Sequence, residues 1–179
     1  MKVILISGKA QNGKDTVADI LQSSLANDSK RVLITHYADL LKFICKNYLG
    51  WDGKKDEKGR QMLQYVGTDV IRAEDPTFWV DFVAKILQYF HTNWDYVIIP
   101  DCRFPNEVTV MSEVFETIHL RVTRNSYKSP LTEEQLSHMS ETSLDNVEPD
   151  YHIPNDGTIE DLKNIIIKWI KEKLYENKA

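Results

Sequence analysis

Apolar positions fall in two alternating rhythms along this chain. Met1 to Ser7 (KVILIS) is an unbroken apolar run, the pattern of a strand buried on both faces of a parallel sheet. Val17, Ile20, Leu21 and Leu25 then recur at helical spacing over residues 16–25. Short apolar runs at 31–36 (RVLITH), 96–99, 117–122 (TIHLRV) and 151–153 predict four more strands. Helices are predicted over 39–49, 61–74, 77–91, 108–115 and 158–175; the last carries Leu162, Ile166, Trp169 and Leu174 on one face. Pro76 divides the middle pair into a hairpin, because it restricts Asp75 and tolerates a helix start after it. "GWDGKKDEKGR" reads as a polar, glycine-rich, mobile loop. Residues 124–150 are polar, with Pro130, Pro149 and little apolar periodicity.

Strands alternating with helices predict an α/β fold with a parallel sheet covered on both sides. Ligands of such sheets bind at the carboxyl ends of the strands. At 179 residues, one domain is expected. A net charge of −5 argues against a nucleic-acid partner, whose footprint is basic. Lys9, Lys14, Lys42, Arg60, Arg72, Arg103, Arg121, Arg124 and Lys128 could still converge on a small polyanion. The apolar run after Lys2 enters a glycine turn directly, so it reads as neither signal peptide nor spanning helix, and no membrane partner is expected. Cys45 and Cys102 have no metal-ligand spacing and read as buried thiols of a cytoplasmic protein.

The chemistry starts at Gly8-Lys9-Ala10-Gln11-Asn12-Gly13-Lys14, a G-x-x-x-x-G-K loop with a strand before it and a helix after it. Such a loop turns backbone N–H groups inward, adds the positive end of a helix, and lets lysine reach the terminal phosphates. The usual Ser or Thr after the lysine is replaced by Asp15, with Thr16 next. Asp15 would hold Mg²⁺ or serve the helix N-terminus; Thr16 would bind the metal or an inner phosphate. Asp101 ends the third strand, where it could hold Mg²⁺ or substrate. Arg103 either clamps a phosphate or pairs with Glu107.

These motifs resemble the deoxynucleoside monophosphate kinases of phage type, within the P-loop nucleoside monophosphate kinases. The resemblance rests on "LISGKAQNGKDTVADIL", "LQYVGTDVIR" followed by "FWV", "DYVIIPDCRFPNE", "SHMSETSLD" and "IPNDGTIEDL". It covers almost the whole chain and implies a three-layer P-loop NTPase fold with strand order 2-3-1-4-5. It further implies a single kinase domain over 1–179, an acceptor-binding helical region at about 37–92 and a lid at about 124–141. ATP would lie on residues 8–16, with Asn155 and Gly157 at its base. The acceptor would meet Asp39, Lys42, Gly67, Asp69, Arg72, Trp79, Asp101 and Arg103. Asp69 and Arg72 alternatively make an i,i+3 pair, Trp79 alternatively belongs to the core, and His138 and Glu141 match the lid motif, with Ser140 and Glu141 alternatively capping a helix.

The implied reaction is transfer of the ATP γ-phosphate to a deoxynucleoside monophosphate, carried by Lys14, Arg72, Arg103 and Arg124, with Mg²⁺ near Asp15, Thr16 and Asp101. Two alternatives stay open: a kinase of another phosphorylated small molecule, such as phosphomevalonate, and a nucleotide sensor without transfer. The oligomeric state stays open too, a homodimer included.

Overall fold

The computed structural model describes residues 1–129 and 131–175; Pro130, in the expected lid, lies outside them. Five parallel strands form one sheet: β1 (Lys2–Ser7), β2 (Val32–Ile34), β3 (Tyr96–Ile99), β4 (Glu116–Thr123) and β5 (Tyr151–Pro154). Their order is β2-β3-β1-β4-β5, as the family resemblance implies. β1 is central, its Leu5 opposite Ile99 of β3 and His119 of β4.

Val3, Ile4, Leu5 and Ile6 are all fully buried, which explains the unbroken apolar run. The period of two sends Ile4 and Ile6 to one face and Val3 and Leu5 to the other. Under Ile4 and Ile6 pack α1 (Lys14–Asn27), through Val17, Leu21 and Leu25, and α8 (Ile159–Trp169), through Leu162 and Ile166. Val3 and Leu5 meet α2 (Ala38–Tyr48), α4 (Phe78–Tyr89) and α5 (Pro105–Val114). The result is helix, sheet, helix.

Three segments depart from the sequence expectation. The expected polar loop at 50–60 turns helical at α3 (Glu57–Gln64), because Asp56 accepts the Gly59 amide at 2.9 Å as a cap. Trp51, nearly buried, pins the rest by donating Nε1–H to Lys54 O at 2.9 Å, so the segment is anchored rather than loose. α3 continues as a wide π-helical turn, Tyr65–Arg72, and α8 does likewise over Ile170–Tyr175. The polar stretch after β4 contains α6 (Glu133–Ser137) and α7 (Met139–Thr142). Their capping residues Thr132 and His138 were not legible as periodicity, since four- and five-residue helices are too short to show one.

Candidate active site

β1, β3 and β4 deliver their carboxyl ends to one edge, and three backbone segments meet there: loop 8–13, the turn 100–104, and the start of the 124 segment. Loop 8–13 closes on the N-terminus of α1. Gly13 takes φ 95°, and a Cβ there would stand 2.4 Å from Asn155 Nδ2, so glycine lets the loop sit against β5. That same Nδ2–H donates to Asn12 O at 2.9 Å, and Asn12 Nδ2–H donates to Val122 O at 3.1 Å. Asn155 and Asn12 therefore brace the loop's shape. Lys14 arches over it, donating from Nζ to Gly8 O (2.7 Å) and Lys9 O (2.9 Å). Burial, and secondly the Arg103 charge, lower the Lys14 ammonium to a pKa of about 8.

A cavity of about 390 Å³ opens from Lys14 and Asp15 between α2, α3 with its π-turn, and the turn after β3. Lys42, Gly67, Arg72, Trp79, Asp101 and Arg103 all border it, so residues 61 positions apart in sequence converge as expected. Asp39 and Asp69 do not border it. Asp39 instead accepts from His36 N (3.1 Å) and Lys42 Nζ (3.0 Å) at the start of α2, and Asp69 turns outward towards His138 Nε2 at 3.8 Å. The Asp69–Arg72 pair does not form.

Asp101 is spent on structure: Oδ1 accepts Tyr37 N and Oδ2 accepts Ala38 N, each at 3.0 Å, capping α2. Trp79 is buried and donates Nε1–H to Gly67 O at 2.9 Å, which satisfies a carbonyl in the π-turn. A Cβ on Gly67 would meet Leu41 Cδ2 at 2.6 Å, so glycine there lets the π-turn approach α2. Trp79 is thus a core residue that also borders the cavity.

The arginines are held by carboxylates. Arg72 donates Nη2–H to Glu107 Oε1 at 2.7 Å and Nη1–H to Pro76 O (3.0 Å) and Asn106 Oδ1 (3.2 Å), and its guanidinium stacks 3.8 Å above the Phe104 ring. Arg103 does not pair with Glu107 through its side chain; its backbone N–H donates to Glu107 Oε2 at 2.6 Å. Its guanidinium reaches Ser140 O (3.0 Å) and the Glu141 carboxylate. Glu141 Oε2 also accepts the loop amide of Ala10 at 2.9 Å. Lys9 turns the same way, to Glu141 O and Asp145. The segment around α7 is therefore docked on the phosphate loop. Glu141 is no helix cap; His138 Nδ1 is the acceptor for Ser140 N.

A second pocket, about 330 Å³, lies on the far side of Lys14 and is bordered by Asp15, Thr16, Arg124, Asn155, Gly157 and Ile159. Arg124 leaves β4 beside β5 and lies 4.8 Å above the Tyr127 ring. It borders this pocket and not the large cavity that Arg72 and Arg103 border. Ile159 gave no functional signal in the sequence, where it is one more apolar residue of a helix start. Lys55, Gln64 and Tyr37 border the large cavity and were also missed, since only the fold brings them there.

For Mg²⁺, Asp15 borders both pockets and Thr16 the second, whereas the carboxylates of Asp101, Glu107 and Glu141 on the large cavity are engaged by protein donors; among the described residues there is no cluster of three acidic, His or Cys side chains that could cage an ion. That donor set fits Mg²⁺, which is commonly held by one or two carboxylates plus waters and substrate phosphates. Asp101 fits less well as a direct ligand, both its oxygens already accepting amides.

Comparison with known proteins bears on the fold and the family. Among solved structures, the fold matches the Mycobacterium tuberculosis APS kinase in complex with AMPPNP and APS (TM-score 0.55, 10% identity, 96% of this chain and 98% of that one). It also matches shikimate kinase from Aquifex aeolicus (TM-score 0.52, 14% identity, 97% and 98%). In sequence, deoxynucleotide monophosphate kinase of Enterobacteria phage T4 is 32% identical over 114 residues, 63% of this chain and 45% of the phage protein. The chain thus spans less than half the length of that relative, and 44% of the one from Escherichia phage RB69. Phosphomevalonate kinase of Drosophila melanogaster is 31% identical, over 69% of this chain and 68% of that protein. No described helix is long and apolar enough to cross a membrane. The family model for deoxynucleotide monophosphate kinase matches residues 46–166, which run from α2 past the large cavity to α8. The chain belongs to the deoxynucleotide monophosphate kinase family.

Proposed function

We propose that this protein transfers the γ-phosphate of ATP to a deoxynucleoside monophosphate. The observation that carries the reading is that the two pockets meet at Gln11, Lys14 and Asp15, so a donor phosphate chain and an acceptor phosphate can face each other across one lysine. ATP lies in the pocket of Thr16, Arg124, Asn155 and Gly157, with its adenine between Arg124 and Ile159. Arg124 is thereby a nucleotide-binding residue in place of the catalytic role expected of it. Asp15 and Thr16, together with the phosphates, would hold Mg²⁺, which would supply charge neutralisation on the phosphate tail.

The protein's own part is positioning and electrostatics. Loop amides and Lys14 orient the donor phosphates. Arg72, with three of its five N–H groups engaged, turns its remaining donors to the acceptor's phosphate. Arg103 reaches the transferring group by exchanging Glu141 for phosphate oxygens. No general base is needed, because the acceptor phosphate is already anionic. The docked α7 segment and the stretch before it form the lid, which keeps water out.

Coupled ADP release with Mg-ATP against deoxy- and ribonucleoside monophosphates and phosphomevalonate tests the reading. Stimulation by a deoxynucleotide supports it. Stimulation by phosphomevalonate alone moves the acceptor to that class, which the likeness to the Drosophila enzyme favours. Intact ATP binding with no stimulation identifies a sensor.

A further inference from the structure

The acceptor half contains a buried carboxylate for which the reading above has no use. Glu107 lies in the first turn of α5, 2% exposed. A carboxylate at a helix N-terminus commonly serves as a cap, and Oε2 does so, accepting the amides of Arg103 (2.6 Å) and Phe104 (3.1 Å). Oε1 does something else: it takes Arg72 Nη2–H at 2.7 Å from a different element, 35 residues away. Asn106 and Phe104, its neighbours on the same turn, supply a further hydrogen bond and the stacking face for that guanidinium. One carboxylate thus ties the Arg72 plane to the turn that also carries Arg103.

We propose that Glu107 is the positioning residue of the acceptor site, fixing the Arg72 guanidinium so that Nε–H and the second Nη2–H point at the acceptor phosphate. The proposal rests on the phosphoryl-transfer reading, but it applies to whichever phosphomonoester the wild type uses. Removing the anion leaves Arg72 with neutral partners only, Pro76 O and Asn106 Oδ1, and a guanidinium free to rotate. The groups facing Glu107 are Arg72 from the π-turn, Asp101, Cys102 and Arg103 from the turn after β3, and Tyr37 from the start of α2. Burial outweighs the Arg72 charge and raises the carboxyl to a pKa of about 7, so the anchor weakens on the acid side of neutrality.

The test is steady-state kinetics of the full chain with Mg-ATP and the best acceptor from the panel, for wild type, Glu107→Gln, Arg72→Lys and the double variant. Glu107→Gln should raise the acceptor KM about tenfold or more, the usual scale for a charge-assisted hydrogen bond, and leave the ATP KM within about twofold. In the Arg72→Lys background the same change should add little, because the partner it orients is already gone. The acceptor KM of the wild type should rise as pH falls below 7 more steeply than that of Glu107→Gln. Equal effects on both substrates in both backgrounds, with a lowered melting temperature, would show a helix cap only and overturn the proposal; so would an unchanged acceptor KM. A wild type stimulated by no phosphomonoester defeats the kinase reading, and this proposal with it, before any variant is made.

Discussion

The two halves of the cleft are built on opposite plans. On the side proposed for the nucleotide, consecutive residues 8–16 form most of the wall, and much of what they offer is backbone: amides, carbonyls and the start of α1. On the side proposed for the acceptor, the polar groups are side chains, and each is held by something distant. Arg72 leans on residues 34 and 35 positions away, and Arg103 on Glu141, 38 away. A backbone site tolerates changes in side chains around it, whereas a side-chain site fails when any one supporting partner is lost. Substitutions in the two halves should therefore read out differently.

The sharpest contrast comes from Lys14→Ala. Lys14 is the one side chain of the loop that both pockets share as a cation, so its loss should affect transfer rather than one substrate's binding. Turnover should fall on the order of 10³-fold, the scale for removing a preorganised charge donor, while the acceptor KM changes far less. Equal weakening of acceptor binding would mean that Lys14 belongs to the acceptor half and that the division is drawn in the wrong place. Rates over a matrix of ATP and acceptor concentrations decide it.

The same contrast explains what was legible in the sequence. The strand order, the phosphate loop and the gathering of Lys42, Gly67, Arg72, Asp101 and Arg103 round one cavity follow from local patterns plus one topology. Asp39 and Asp69, expected at the acceptor, do not border the cavity, because helical position alone does not say which way a partly exposed side chain turns; Asp39 meets half-buried His36 and Lys42, and Asp69 faces half-buried His138. Arg124 was assigned by its place in the lid segment, and the fold puts it on the second pocket, beside Asn155 and Gly157, and not on the cavity of Arg72 and Arg103. Glu107 was read only as a partner for the Arg103 side chain. An i,i+4 spacing points to that pair, and nothing in the sequence says that a guanidinium 35 residues away competes for it and wins.

A second prediction sets the two halves against each other through pH. Under the nucleotide half, His119 of β4 is buried, with Nε2 2.7 Å from Ser7 Oγ at the end of β1, and Ser7 Oγ–H directed at Leu120 O. Burial, and then Arg121, lower its pKa from 6.5 to about 4. The unfolded chain binds the proton more readily, so this histidine's contribution is complete above pH 6.5 and is lost as pH falls towards 4. Glu107, in the acceptor half, is raised from 4.5 to about 7, so the folded chain binds the proton more readily and its contribution is lost as pH rises through the same window. Each shift corresponds to about 3 kcal/mol at most, and the two nearly cancel between pH 4.5 and 6.5. Urea unfolding across that window should show Glu107→Gln gaining stability relative to wild type as pH rises, and His119→Leu losing it. Parallel curves for wild type and both variants would contradict the burial of either group as a neutral species.

The smallest expected effect separates the halves at one hydrogen bond. In Trp79→Phe the ring remains in the wall of the large cavity, but the carbonyl of buried Gly67 loses its Nε1–H donor within the π-turn. An unpaired buried carbonyl costs about 1–2 kcal/mol, which for a chain of this size lowers the melting temperature by a few degrees. Five residues on, the same turn carries Arg72, so a loosened turn should also raise the acceptor KM a few-fold, within reach of ordinary kinetics. The ATP KM should not move, because α1 and the loop touch neither Trp79 nor Gly67 through any hydrogen bond among the described residues. If both KM values shift together, the π-turn is coupled to the phosphate loop, and the cleft behaves as one mechanical unit rather than two.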